Sequence, residues 1–385
     1  MTEKLYYTEP HTRSFSARVL SCEPTGELWS VRLDRSAFFP GGGGQAADTG
    51  TIGAVRVVGG REEDGEPVAL TDAALEPGAE LVCELDWPQR FARMQLHSGE
   101  HVVSGLAHRY WGCENVGFHM AEDCVAIDFD RELSAEQLAM LERAANECVW
   151  ANVPFHCYFP AAEELSALDY RSKKELSGAV RIVEIPGIDR CACCAPHVER
   201  SGEIGLIRIV ESMRHRGGVR LTVQTGVCAY EAAAAEARQT AQISGKLSAP
   251  RDALLPALER VLGELEREKL RAAGLSRELL ARRAAETPET DGVICLFEET
   301  EDLDALRELV NALTAKCRLC AVFAGSEGAW KYILGSKSVD LRALAPKLNR
   351  ALSGRGGGSA GMIRGGVTAS RSEIETFFAE TEELQ

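Results

Sequence analysis

Two histidine-bearing motifs that lie far apart in the chain could bind one metal ion. They are His97-Ser-Gly-Glu-His101 and Cys193-Cys-Ala-Pro-His197, and each places two metal donors four positions apart. On a helix such positions lie on one face. Together the motifs offer three imidazoles and one thiolate, which is a complete tetrahedral ligand set for zinc. The sequence therefore predicts a Zn2+ site formed by His97, His101, Cys193 and His197.

Two alternatives for these residues stay open. Cys191 and Cys194 form a C-x-x-C pair that would suit a structural zinc knuckle. Cys193 repeats the spacing of the histidine pair, however, so we expect the other two cysteines to be packing thiols. The first motif also matches H-x-x-E-H, in which the glutamate is the general base of a zinc peptidase. Such enzymes complete their site with a distant carboxylate, whereas here the second motif supplies the donors. Glu100 could instead support a metal ligand through a hydrogen bond or be a solvated helix residue, and we favour the solvated residue.

The composition limits the location and the partners. Of the 385 residues, 45% are apolar and 26% are charged, which is enough for real cores. The first residues are polar and no apolar run approaches the length of a membrane span, so we expect neither a leader peptide nor a membrane partner. The 13 scattered cysteines favour a reducing, cytoplasmic location. The net charge of −15 means that nucleic-acid binding would need local basic patches.

The first half of the chain changes from strand patterns to mixed patterns. Residues 1–89 contain short runs of β-forming residues between turn signals, which predict a small β-barrel with a glycine-rich loop. Residues 90–228 mix helix and strand patterns and are expected to form the zinc-binding domain. Within them, apolar spacing predicts a helix from Arg90 to Tyr110 that carries both histidines, and Ser134 begins a capping-box pattern of a second helix.

The second half is expected to contain a connector and a separate domain. Residues 229–286 are rich in alanine with apolar residues at helical spacing, which predicts a helical connector. Residues 287–385 alternate strand and helix patterns around a glycine loop near 356–361, which predicts a small α/β domain. The fold class is therefore predicted to be α+β and multi-domain.

Several motifs in combination resemble the freestanding alanyl-tRNA editing proteins, which are similar to the editing half of alanyl-tRNA synthetase. Beside the two metal motifs they are Phe38-Phe-Pro-Gly-Gly-Gly-Gly-Gln45 and Ser201-Gly-Glu-Ile-Gly205, so the resemblance covers residues 1–228. The glycine-rich stretch from Gly354 to Gly366 resembles the DHH-associated domain of that synthetase. Nothing in the chain resembles an aminoacylation core, so the resemblance implies editing in trans.

The resemblance implies a zinc-dependent hydrolase that deacylates tRNA specific for alanine when it carries serine or glycine. A pocket made for alanine excludes serine or glycine only weakly, so a second site must reject the error. Gln45 is expected to line that site, where its amide could orient water or hold the terminal ribose. Ser36 could bond the serine hydroxyl, or it could be a turn serine. His119 is expected near the site or as a structural histidine.

The resemblance also implies contact with tRNA through the C-terminal region, or a homodimer there. Arg355 and Arg364 flank the terminal glycine loop, with Lys347 and Arg350 just before it, and such cations suit phosphate. One departure from the family concerns the second metal motif, where Pro196 removes an amide donor that could contact substrate. The alternatives to the hydrolase are a zinc-stapled tRNA-binding module without turnover and the zinc peptidase.

Overall fold

The structure is a computed structural model that describes residues 1–172, 179–300 and 302–380. It divides into two units, Met1–Gln242 and Ile243–Gln385. The four-part division predicted from the sequence is finer than this and stays a prediction. Within the described residues, no helix is long and apolar enough to cross a membrane. Helices and sheets occur in both units, as the predicted mixed multi-domain class requires.

The first unit begins with strands that form a closed barrel. In chain order the elements are β1 (Glu3–Lys4), α1 (Leu5–Thr8), β2 (Ser14–Thr25), β3 (Leu28–Leu33), β4 (Arg35–Ser36), β5 (Gly50–Ile52), β6 (Val55–Glu63), β7 (Glu66–Thr71) and β8 (Glu80–Leu85). Six of the strands pair in the cyclic order β2-β3-β7-β6-β5-β8, which makes a closed barrel, while β1 pairs with β4. Alternating residues such as Ala17, Val19 and Cys83 fill its interior, because successive side chains of a strand point to opposite faces.

The second part of this unit is built around one long buried helix, α2 (Trp87–Trp111). After it come β9 (Asn115–Met120), β10 (Val125–Phe129), α3 (Ala135–Ala151), β11 (His156–Tyr158), α4 (Ala162–Ala167), β12 (Ile182–Ile185), β13 (Asp189–Ala192), a 3-10 turn (Ser201–Ile204), β14 (Ile207–His215) and β15 (Gly218–Thr225). The strands form one sheet in the order β14-β15-β10-β9 and another in the order β11-β12-β13. Helices α2 and α3 share an apolar core with the first of these sheets.

Local sequence signals fix the ends of these helices. Pro88 stands in the first turn of α2, where its missing N–H costs nothing. The predicted capping box of α3 is confirmed: Ser134 Oγ accepts from Gln137 N at 3.2 Å, and Gln137 Oε1 accepts from Ser134 N at 2.8 Å. The expected helix from Arg90 to Tyr110 lies within α2.

Helices α5 and α6 occupy the predicted connector, and a five-stranded α/β sheet follows them. The elements are α5 (Gly226–Leu247), a 3-10 turn (Arg251–Ala253), α6 (Leu254–Glu286), β16 (Val293–Glu298), α7 (Leu303–Leu313), β17 (Leu319–Ser326), β18 (Ala329–Gly335), α8 (Leu341–Ala351), β19 (Gly354–Gly358), β20 (Met362–Val367) and α9 (Arg371–Glu380). The sheet order is β16-β17-β18-β20-β19. Helices α6 and α7 pack on one face of it, and α8 and α9 on the other.

The prediction of a glycine loop near 356–361 is wrong for its first half, because Gly354–Gly358 forms the edge strand β19. The reason lies in packing rather than in turn chemistry. A Cβ built on Gly356 would lie 2.1 Å from Tyr332 Oη, and one on Gly365 would lie 2.6 Å from it. That hydroxyl donates to Asn349 Oδ1 at 3.2 Å. Glycine therefore permits Tyr332 to reach across two neighbouring strands to α8.

One buried ion pair connects the barrel to α2. The guanidinium of Arg90 donates to the carboxylate of Asp48 and, at 3.0 Å, to the carbonyl of Ala37. Both charged side chains are 1% exposed. Asp48 also accepts from Phe39 N at 2.8 Å, and Arg93, one turn further along α2, donates to Ala47 O at 2.7 Å. The helix thus holds the chain on both sides of the glycine loop of the barrel, which we define as residues 41–45.

We predict that Asp48→Asn lowers the free energy of unfolding by about 3–5 kcal/mol, because it leaves the charge of Arg90 buried without a partner. Urea unfolding followed by circular dichroism measures the change. The matched control Glu27→Gln alters an exposed carboxylate of the same barrel and should change stability by less than about 0.5 kcal/mol. Equal stability of the two variants would contradict the role given to the pair.

Candidate functional site

The four predicted metal donors converge in the first unit. One ligand atom from each of His97, His101, Cys193 and His197 lies within 4.8 Å of the others. The two α2 histidines stack with ring centroids 5.4 Å apart, as expected for side chains on successive turns of a helix. The ring of His197 meets the ring of His101 edge-on, with centroids 4.7 Å apart. All three imidazoles are buried, and Cys193 is partly buried.

The second motif is held by its carbonyl groups. Arg181 Nη1 donates to Cys193 O at 3.1 Å and to Ala195 O at 2.9 Å, and Arg181 O accepts from Cys193 N at 3.1 Å. None of these hydrogen bonds uses the backbone nitrogen of residue 196. The proline at this position, which departs from the family motif, therefore leaves all of them in place. Arg181 carries no spacing signal in the sequence, and it follows a stretch of chain outside the described residues.

Electrostatics favour the metal-binding forms of Cys193 and His197. Burial alone would raise the pKa of the Cys193 thiol, but the adjacent imidazoles of His97 and His197 lower that pKa well below its usual range. Burial lowers the pKa of His197 to about 3. A thiolate and a neutral imidazole are the forms that bind a metal. Both shifts therefore favour the form of the side chain that acts as a ligand.

His197 provides a test of whether a metal fits. Both of its ring nitrogens are buried and have no hydrogen-bond partner among the described residues. Buried nitrogens without partners are costly in an apolar setting. A cation held by the four donors would satisfy one of them, and three nitrogens with one sulfur suit zinc. The donor set therefore fits a zinc ion.

Gln45 lies against the first histidine. Its Oε1 is 3.0 Å from His97 Nδ1, while His97 Nε2 is 3.5 Å from Cys193 Sγ. If Nε2 is the metal donor, Nδ1 carries the proton and donates to Gln45 Oε1. The amide nitrogen of Gln45 is then directed elsewhere, and it is buried without a hydrogen-bond partner in the described part of the chain.

The glycine loop packs on the donors. Gly42 and Gln45 exchange backbone hydrogen bonds of 3.0 Å, and the two residues between them have φ of +59° and +86°, which only glycine adopts readily. A Cβ on Gly44 would lie 2.5 Å from the ring of Phe118, and that ring is 5.0 Å from the ring of His97. The tight turn therefore places Gly44 against the ring of Phe118 and Gln45 against His97. Phe118 belongs to no motif in the sequence, which pointed to its neighbour His119 instead.

Three other residues named from the sequence have clear places. Ser36 is buried, and its hydroxyl accepts from Phe38 N at 3.2 Å, as a turn serine does; its contact with substrate stays a prediction. His119 is exposed on β9. Glu100 was expected to be solvated, and this is wrong: it is buried, and Ser104 Oγ donates to its Oε1 at 2.7 Å.

A second group adjoins the first through His101. His101 Nδ1 lies 2.8 Å from Cys191 Sγ and 3.3 Å from Asp189 Oδ2. Arg171 Nε and Nη2 donate to the two oxygens of Asp189, each at 2.8 Å. Burial would raise the pKa of Asp189, yet the hydrogen bonds from His101 and Arg171 hold it well below its usual range. Cys191 is therefore more than a packing thiol, and neither Asp189 nor Arg171 had been singled out from the sequence.

The four cations expected to contact tRNA are all exposed in the second unit, but they divide between two places. Register pairs Gly357 with Arg364 and Arg355 with Gly366, so both arginines project from one face of the sheet. Lys347 and Arg350 belong to α8, which covers the opposite face, where Asn349 Nδ2 donates to Gly356 O at 3.0 Å.

Comparisons with known proteins place the chain among its relatives. The family of the threonyl and alanyl tRNA synthetase second additional domain matches residues 180–221, which include Cys193 and His197. The alanyl-tRNA editing protein Aarsd1 of Danio rerio is 24% identical over 96% of this chain and 95% of its own length. The alanyl-tRNA editing protein AlaX-L of Pyrococcus horikoshii is 25% identical over 97% of this chain and 96% of its own length. This chain is similar to the alanyl-tRNA editing proteins over nearly its whole length.

Two further matches come from alanyl-tRNA synthetases. The alanine–tRNA ligase of Pyrobaculum neutrophilum is 31% identical over 94% of this chain, but only 42% of that ligase is covered. The C-Ala domain of Aquifex aeolicus alanyl-tRNA synthetase covers 26% of this chain at 22% identity, with a TM-score of 0.21 that is too low to carry an argument. The resemblance stated from the sequence is confirmed, and it extends beyond residue 228 to nearly the whole chain.

We predict that metal-free protein binds one equivalent of Zn2+ and that Cys193→Ser weakens binding at least tenfold, because the thiolate is the charged donor of the set. The matched control is Cys194→Ser, which alters the neighbouring exposed thiol. Competition with a chromophoric chelator measures both affinities. Loss of zinc from the control variant but not from Cys193→Ser would assign the site to the C-x-x-C pair instead.

Proposed function

We propose that this chain is a trans-editing hydrolase that deacylates mischarged tRNA specific for alanine, with seryl and glycyl esters as its substrates and zinc at its site. Two kinds of evidence support the proposal. Relatives of similar length are named alanyl-tRNA editing proteins, and each matches this chain over nearly its whole length. The convergence of three buried histidines and one partly buried cysteine is the single observation that carries the chemistry, because it joins the two motifs at one point.

The side chains at the site suit ester hydrolysis. Zinc bound by the four donors would supply a Lewis acid for the ester or for a water molecule. Gln45 holds the ring of His97 through Oε1 and presents its unpartnered Nε2 to the substrate. An amide donor in that place can bond an ester oxygen or a ribose hydroxyl. Phe118 and the glycine loop cover this part of the site, which lowers the local dielectric and strengthens such a bond.

Discrimination against alanine follows from unpaired polar groups. A site that bonds the hydroxyl of serine leaves its own polar group unsatisfied when alanine enters, and an unsatisfied buried group costs about 1–3 kcal/mol. Ser36 remains our proposal for that contact, although its hydroxyl already accepts from Phe38 N. A modest rearrangement of the turn would have to release it.

A tRNA surface on the second unit extends the proposal. Arg355 and Arg364 project from a part of the sheet where glycines flank them, so a phosphate backbone could approach the strands closely. Lys331 pairs in register with Gly366 and lies on the same face. A local set of cations is what an acidic chain of net charge −15 needs for contact with a polyanion.

A homodimer through the C-terminal region is also part of the proposal. The first half of α6 carries exposed leucines at heptad-like spacing, a pattern typical of helices that pair. They are Leu255, Leu258, Leu262 and Leu265.

A zinc-stapled tRNA-binding module without turnover is the second candidate. The observation that favours it is the number of protein donors, since four ligands are typical of structural zinc sites and catalytic sites keep one position open. The two candidates differ in what Gln45 should do, because only the hydrolase needs its free amide.

We predict that the protein releases serine from seryl-tRNA of the alanine isoacceptor, spares the alanyl ester, and stops when zinc is chelated. Gln45→Ala should slow the release by about 100-fold, the usual effect of removing one buried donor near a reacting ester. The rate is measured from acid-precipitable radiolabelled serine. The matched control Gln89→Ala, which alters an exposed glutamine of α2, should keep the wild-type rate.

Retained zinc and tRNA affinity in a protein that leaves both esters intact would support the binding module and overturn the hydrolase. Equal loss of serine and alanine would overturn the proposed specificity while leaving the deacylase in place.

We predict that tRNA affinity falls with added salt and that the double variant Arg355→Ala, Arg364→Ala flattens this dependence by about two units of log–log slope, one for each phosphate that is no longer neutralised. Fluorescence anisotropy at several salt concentrations measures it. Arg342→Ala is the control, because Arg342 already pairs with Asp340 at 2.8 Å. A wild-type affinity that does not respond to salt would remove phosphate binding from the proposal.

A further inference from the structure

The two α2 histidines of the candidate zinc site have different partners. His97 Nδ1 meets the neutral amide of Gln45. His101 Nδ1 meets the carboxylate of Asp189 and the thiol of Cys191. An imidazole binds a metal through one nitrogen, and the hydrogen bond at the other nitrogen fixes its tautomer and ring orientation. The groups that contact Nδ1 of His101 therefore determine which of its nitrogens can bind a metal and in which orientation.

Asp189 is held in place by an independent contact. Arg171 grips both of its oxygens at 2.8 Å, and the carboxylate side chain is 2% exposed. Asp189 is in the strand β13, two residues before Cys191. A Cβ built on Gly105 of α2 would lie 2.6 Å from the Cβ of Asp189. The absence of a side chain at Gly105 thus lets α2 approach the carboxylate. The strand, the arginine and the helix together leave Asp189 little freedom.

The geometry does not favour a second metal ion between His101, Asp189 and Cys191. His101, Asp189 and Cys191 are close enough together to hold one. The guanidinium of Arg171, however, already supplies the positive charge next to Asp189 and uses both of its oxygens. A cation there would face a fixed positive charge and would have to displace two charge-assisted hydrogen bonds.

We propose that Asp189, fixed by Arg171, is a positioning residue for the zinc site: it orients His101 with Nε2 toward the metal and strengthens this histidine as a donor relative to His97. The inference rests on the proposed zinc site but not on the deacylase activity. A carboxylate acceptor makes the imidazole a stronger donor than an amide acceptor does, and removal of such a partner usually weakens metal binding by about 10- to 100-fold.

The test compares zinc affinity in two double variants. Asp189→Asn with Arg171→Gln removes the carboxylate without leaving an unpaired arginine. The matched control is Asp128→Asn with Arg220→Gln, which alters another bidentate pair of the first unit, with bonds of 2.6 and 2.7 Å between β10 and β15. Chelator competition gives the Zn2+ dissociation constant, urea unfolding of the metal-free protein gives stability, and Co2+ absorption reports the ligand geometry.

We expect the Asp189 variant to bind zinc about 10- to 100-fold more weakly and to shift the visible Co2+ bands, while the control keeps both values. A purely structural role would lower the stability of the metal-free protein and leave the Co2+ bands unchanged, which would overturn the proposal. A second zinc equivalent in the wild type that disappears in the Asp189 variant would overturn it as well. If the wild-type protein deacylates no tRNA while the Asp189 variant still binds zinc more weakly than the wild type, the proposed activity is overturned but this inference is supported.

Discussion

The buried contact between Arg90 and Asp48 is the constraint on which the geometry of the candidate site depends. Helix α2 presents Arg90, Arg93, His97 and His101 at spacings of three, four and four residues, so all four lie on nearly one face. The arginines hold the chain on both sides of the glycine loop, and the histidines face the second metal motif. Because one rigid element carries both sets, the position of Gln45 relative to the metal donors is fixed by the length of two helical turns.

Each buried charged side chain of the site has a neighbouring group that stabilises its charge. Asp48 faces Arg90, Asp189 faces Arg171, and Cys193 lies beside imidazoles that lower the pKa of its thiol. A charge taken out of water is tolerated only with a partner, and each of these has one from a different segment of the chain. His197 presents a different case, because it is a neutral imidazole whose two ring nitrogens are buried without hydrogen-bond partners in the described structure. A cation bound by one of these nitrogens would supply the missing partner, which is the physical argument for a metal at this place.

The metal donors could be found from the sequence because few residue types bind zinc and helical spacing brings such residues together. The residues that hold the donors could not, because Asp189, Arg171 and Arg181 act through contacts with distant segments and carry no periodic signal. Arg90 and Arg93 did carry one, since they precede the histidines at helical spacing. The glycine run at 354–358 misled for a physical reason: its composition is that of a turn, whereas it forms an edge strand in which Gly356 leaves room for the hydroxyl of Tyr332.

The polar groups already in use narrow the choice of those that can meet a substrate. The hydroxyl of Ser36 is bonded within its own turn, Glu100 is occupied by Ser104 and Asn115, and Asp189 is occupied by Arg171. Gln45 differs, because its Oε1 is committed to His97 while its Nε2 is buried and unbonded in the described part of the chain. A donor held in that state in the absence of ligand is preorganised, so a substrate oxygen that reaches it gains a hydrogen bond without the cost of breaking one. Gln45 Nε2 is therefore the donor that an ester oxygen or a ribose hydroxyl can use without a rearrangement, whereas the proposed contact of Ser36 with the serine hydroxyl requires its turn to open.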